Sequence, residues 1–235
     1  VFLGYSALQI SVLSSLPQLA GAFIQLASNN LAKIFKSMKR LVVMLSLSQS
    51  LMWVLLIILI FNTKNYLIML LWAVGYFSIA SAMGPVWISW IGYLVPKSIR
   101  SNYHANRNKI INTLIFTSIL LGGLILKIFE DNMILAFSIM FGIAAIGRLL
   151  SAYYLNKKDD AGNTDDGDAY SYKNILQSRR KMLFIAYNTS IHFSVMFLGP
   201  LFTIYILRTM ELSYLVLTFC MAAWWIGNIS SSKFW

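Results

Sequence analysis

Residues 66–95 read YLIMLLWAVGYFSIASAMGPVWISWIGYLV, thirty positions without one Asp, Glu, Lys or Arg. A helix rises ~1.5 Å per residue, so about 20 apolar residues cross the ~30 Å hydrocarbon core of a bilayer. At that rise thirty residues measure about 45 Å, so the segment must tilt, kink or emerge from the membrane. Gly84-Pro85 supplies a place for the kink, because proline removes a backbone donor and crowds the preceding turn.

The rest of the chain repeats this pattern. Of 235 residues, 58% are hydrophobic and 11% charged, and the mean hydropathy is +0.68. Soluble domains carry about 25% charged residues, so these charges are too few to coat a water-facing surface. An ordinary cytosolic enzyme, a disordered chain and a nucleic-acid-binding domain are excluded, despite the formal charge of +11. One cysteine, Cys220, leaves no disulfide framework and no cysteine-based metal or redox motif. Aromatics make up 14% without an alternating ten-residue pattern, which favours helices over a barrel. The sequence therefore predicts an all-α, polytopic transmembrane helix bundle.

Charges are costly inside the hydrocarbon, so uncharged runs mark the crossings. They fall at 1–32, 41–61, 66–95, 110–126, 133–156 (interrupted at Arg148), 182–207 and 212–232, seven in all. Arg148 sits about 22 Å along its run, near enough to the inner face to snorkel. The chain starts at Val1 and ends at Trp235 inside an apolar run, and is read as a piece of a longer protein.

Lysine and arginine set the orientation. Fourteen of the nineteen basic residues lie in segments 33–40, 97–109 and 157–181, against only Lys64, Lys127 and Arg208 in the alternate loops. The first set is expected in the cytoplasm, with Val1 outside and Trp235 inside. The outer connections at 62–65, 129–132 and 209–211 are short. Segment 157–181 is long, and its tract DDAGNTDDGD at 159–168 has no hydrophobic pattern, as in a solvated linker. It divides an N-terminal part, 1–156, from a C-terminal part, 182–235. The positive charge serves topology and contact with anionic lipid.

All eight acids lie outside the spans, so no carboxylate is available there to carry a proton. His192 is the titratable group near mid-membrane, either a proton or substrate group or a hydrogen-bonded structural histidine. Ser11, Ser14, Ser15, Gln18, Ser78, Ser81, Thr117, Ser118 and Asn188 are candidates for lining a cavity, with interhelical hydrogen bonding as the alternative for each. Small residues at 75, 78, 80–82, 84, 122–123, 142 and 147 suit close helix packing or a sliding surface. Trp87 and Trp90, three apart near the inner end, suit interfacial anchoring. Pro96 is expected to end that helix, ahead of four basic residues at the headgroups. No catalytic group, cofactor or metal site is expected.

The stretch GPVWISWIGYLVP at 84–96 resembles the fourth-helix signature of a bacterial branch of the major facilitator superfamily. That pattern is Pro-x-Trp-x-Ser-Trp-[Ile/Met]-Gly-Asp-Leu-Val-Pro, followed by an arginine, a Tyr-Phe pair and Arg-Asn. Pro85, Trp87, Ser89, Trp90, Gly92, Leu94, Val95, Pro96, Arg100, Tyr103, Arg107 and Asn108 match it; Tyr93 replaces an acid and His104 a phenylalanine. Segment 31–40 resembles the superfamily's Gly-x-x-x-Asp-Arg-x-Gly-Arg-Lys loop only at Lys39 and Arg40. Gly199-Pro200-Leu201-Phe202 with Tyr205 and Leu207 resembles the branch's seventh helix.

The resemblance implies twelve helices in two halves joined by a cytoplasmic loop. This chain would then be helices two to eight, truncated at both ends. It further implies a monomeric secondary transporter of a small solute in the bacterial inner membrane, coupled to a proton or sodium ion, with Pro85, Trp87, Trp90, Pro96, Arg100 and Arg107 as its gating motif. A seven-helix receptor with an outside N-terminus also fits the crossing number. It lacks Asp-Arg-Tyr after the third span, Asn-Pro-x-x-Tyr in the last and a retinal-bearing lysine within it.

Overall fold

The computed structural model describes residues 4–160 and 177–231. Among these, every regular element is helical. The helices are α1 (Ala7–Phe35), α2 (Met38–Asn62), α3 (Tyr66–Leu94), α4 (Arg100–Ile128), α5 (Met133–Asn156), α6 (Arg179–Ile204) and α7 (Tyr214–Ser231), with a π turn (Tyr205–Thr209) after α6. Five helices, α1 to α5, contain stretches long and apolar enough to cross a membrane, and α7 carries a shorter apolar run, Tyr214–Gly227. The chain is a multi-pass membrane protein with a helix-bundle fold.

Large apolar side chains such as Phe23, Leu51, Leu71, Ile88, Leu114 and Phe184 lie exposed on the outside of the bundle. In water that surface would drive aggregation; in lipid it is the solvated face. α1 packs along α3, α2 lies between α3 and α5, and α4 pairs with α7. Small residues permit the close approaches. A Cβ added to Gly21 would stand 3.1 Å from the Phe77 carbonyl and against Ser81, and one on Gly123 would stand 2.8 Å from Thr218 Oγ1. Ser81 and Gly123 thus belong to packing seams. Gly84, Gly142 and Gly147 face open space.

Pro85 sits inside α3, which runs unbroken through twenty-nine residues and ends at Leu94, two residues before Pro96. Two inner connections differ from expectation. α1 continues past Lys33 to Phe35 and α2 takes in Lys39 and Arg40, so only Lys36 and Ser37 separate the two, with Lys36 in the left-handed region at φ 52°. α4 begins at Arg100, well before the apolar run at 110, so most of segment 97–109 is helix. Charge marks where hydrocarbon ends, but a helix satisfies its own backbone and can continue into the headgroups. The outer connections are short as expected, and Asn65 and Asn132 cap the helices that follow them. Asp165, Asp166, Asp168 and Lys173 of the linker lie outside the described residues.

Candidate functional site

The inner ends of α2 and α3 meet around Trp90. Met38, Leu41, Val42, Val86 and Trp90 form one buried cluster, with Trp90 0% exposed. Trp90 is therefore a packed core residue and not the interfacial anchor its position suggested. Its indole N–H donates to the Asp159 carbonyl at 3.2 Å. Trp87, half-buried, lies beneath the Arg107 guanidinium, 4.0 Å from the ring centroid, a cation–π arrangement. Arg100 Nη2 donates to the Gly92 and Val95 carbonyls, oxygens that the end of α3 leaves without helical donors. Pro96 accepts from the Ile99 amide in the connecting turn. Five of the six motif residues, Pro85 apart, thus take part in the α3–α4 corner or its core.

The start of the linker closes this region. Ser37 Oγ donates to Asp160 Oδ2 at 2.6 Å and accepts from the Arg40 amide at 3.1 Å. Tyr93 is exposed, and among the described residues Asp160 is the carboxylate that bonds to the start of α2, through Ser37.

The half of the bundle expected to face outward contains a cavity of about 590 Å³, the outer cavity. Its wall comes from Tyr5, Ile10, Leu13, Ser14 and Gln18 at α1, Leu56 and Ile60 of α2, Met69, Trp72, Ala73 and Phe77 of α3, and Ile134, Phe137 and Phe141 of α5. Leu207 and Tyr214, beyond the linker, complete it. Behind the wall the rings brace one another. Trp53 stacks on Phe141 at 5.4 Å, Trp72 on Tyr76 at 5.4 Å, and Phe137 on Phe141 at 6.0 Å. Trp72 Nε1 is tied to the Met52 carbonyl at 2.7 Å.

At the mouth Tyr5 donates from its hydroxyl to the Lys64 carbonyl at 3.0 Å, and Arg208 donates to the Tyr5 carbonyl at 3.2 Å. A second hollow of about 500 Å³ beside α4 and α7 is almost wholly apolar and broadly open, and does not enclose a ligand.

Of the polar cavity candidates Ser14 and Gln18 line the outer cavity, where Gln18 Nε2 donates to the Ser14 carbonyl at 2.9 Å. Ser78 and Ser81 are half-buried in α3, outside that wall. Thr117 Oγ1 donates to Thr113 in its own helix, and Asn188 Nδ2 to Phe184. His192 Nδ1 lies 3.0 Å from the Asn188 carbonyl and is exposed. These local bonds satisfy each group without joining helices.

Two features escaped the sequence reading. Aromatics four apart, Trp72 and Tyr76 on α3 and Phe137 and Phe141 on α5, form the braced wall; their i, i+4 spacing was the available signal. Ser46, Gln49 and Ser50 make a fully buried polar stripe on α2, also at helical spacing. Ser50 Oγ donates to the Ala145 carbonyl at 2.8 Å and Ser46 to Met83 Sδ at 3.4 Å. Both amide atoms of Gln49 are buried without a hydrogen-bond partner.

No protein-family model, curated protein or solved structure matches this chain.

Proposed function

We propose that the protein is a secondary transporter of a small solute, working by alternating access in a plasma membrane, the bacterial inner membrane by its resemblance to the major facilitator superfamily. The observation carrying this reading is the composition of the outer cavity wall. It draws on α1, α2, α3 and α5 before the linker and on Leu207 and Tyr214 after it. A carrier of this type holds its solute between two rigid parts and exposes it to each side by rocking them. All seven helices take part, with the basic inner segments in the cytoplasm and a proton or sodium ion as coupling partner.

Few bonds join the two parts at the outer face: Arg208 reaches Tyr5 across the mouth, and α4 packs on α7 beside it. The test uses pairs of spin labels in nanodiscs, one pair outside at Lys64 and Met210, one inside at Lys97 and Arg179. A carrier shows two distances for each pair, the outer lengthening as the inner shortens when a substrate or ion gradient is applied. One unchanging distance for each pair excludes the mechanism.

A further inference from the structure

We propose that the outer cavity selects an uncharged aromatic solute bearing one hydroxyl or amide group, and rejects organic cations. The inference rests on the reading of this cavity as the carrier's binding site. Its volume, about 590 Å³, lies within the ~300–1,000 Å³ of small-molecule pockets. The braced rings of Trp72, Phe137 and Phe141 offer flat apolar faces, and stacking on such faces is what an aromatic solute gains over an aliphatic one.

Besides the hydroxyls of Tyr5 and Tyr214 and the tied Trp72 indole, the polar groups of the lining lie on α1. Ser14 Oγ gives its single hydrogen to the Ile10 carbonyl at 2.8 Å, which leaves its lone pairs free. Gln18 spends one N–H on the Ser14 carbonyl and retains Oε1 and a second N–H. Between them Pro17 lacks an N–H, so the Leu13 carbonyl has no amide donor four residues on. This wall accepts more than it donates, and its natural complement is a solute O–H or N–H.

Charge decides the rest. Among the described residues the lining contains no Asp, Glu, Lys, Arg or His, so a charged solute would shed its water without gaining a counter-charge. Aromatic faces attract cations, but that gain is smaller than the cost of a lone charge at membrane depth. Arg208, whose guanidinium donates to the Tyr5 carbonyl, sets a positive charge beside the lining and repels a cation further.

The test measures binding to the purified protein in nanodiscs, with empty nanodiscs as the partition control. The probes share one two-ring body: 1-naphthol, 1-methylnaphthalene, 1-naphthoate and protonated 1-naphthylmethylamine. Saturable binding is expected to be tightest for 1-naphthol and absent for the amine. Gln18→Leu should weaken 1-naphthol about tenfold, the worth of one hydrogen bond, and leave 1-methylnaphthalene unchanged; Gln18→Asn should restore part of the loss. Binding of the amine as tight as that of 1-naphthol, no saturable binding of any probe, or an unchanged affinity in Gln18→Leu overturns the proposal. Saturable, Gln18-dependent binding of 1-naphthol without gradient-driven uptake into proteoliposomes leaves the ligand class standing and removes the transport reading.

Discussion

Ser37 and Asp160, 123 positions apart, are joined by a 2.6 Å hydrogen bond at the N-terminus of α2. The serine caps the helix through the Arg40 amide, and the carboxylate meets the positive end of the helix dipole. One side chain thus holds both the start of α2 and the start of the linker, while Trp90 holds the neighbouring Asp159 carbonyl. Ser37→Ala should cost about 1 kcal/mol and release the linker. Trypsin added to inside-out vesicles should then cut after Lys157 and Lys158 several-fold faster. Asp160→Asn, which keeps an acceptor, should have a smaller effect than Asp160→Ala; equal rates for all variants would show that the contact does not restrain the linker.

Arg100 supplies donors to the Gly92 and Val95 carbonyls. Its replacement by Ala should destabilise the α3–α4 corner by about 1–2 kcal/mol. Arg100→Lys should recover part of the loss, because both bonds come from the single nitrogen Nη2 and an ammonium also carries several donors on one nitrogen. Melting in detergent reads the difference, at roughly 2–4 °C per kcal/mol for a chain of this length.

Gln49 lies 0% exposed in the middle of α2 with both amide atoms unpartnered. A buried polar group without a partner costs about 1–3 kcal/mol. Gln49→Met, close in shape and free of that cost, is expected to raise the melting temperature. A fall would mean that the amide is satisfied by a buried water that the substitution expels.

The α4–α7 seam crosses from one side of the linker to the other at Gly123 and Thr218. Gly123→Ala places a methyl against Thr218 and should cost about 1–3 kcal/mol by overpacking. Gly142→Ala, facing open space, should be neutral or stabilising, since alanine is the better helix former. Comparing the two melting curves separates a seam from a lipid-facing glycine.

Five of the seven expected crossings, α1 to α5, are long and apolar enough to span; they were legible because the cost of charge in hydrocarbon is large and local, and the run at 133–156 coincides with α5. Helix ends were not, since Arg100 to Lys109 remain helical outside the apolar run. The cavity was legible at Ser14 and Gln18, polar groups four apart on an apolar helix. At Thr117, Asn188 and His192 the same signal arose from side chains bonded to their own helices. Gln49 and the ring wall stayed hidden because helix rotation decides which face meets a neighbour, and uniformly apolar helices carry little record of rotation.

The account stands on one cavity that opens alternately to the two sides of the membrane. Gln18→Cys, in a background where the exposed Cys220 is serine, places a thiol in that cavity. Right-side-out and inside-out vesicles are then treated with an impermeant thiol reagent. Alternating access predicts labelling from both sides, with bound solute or an ion gradient raising one rate as it lowers the other. Labelling from one side alone, under every gradient, would contradict it.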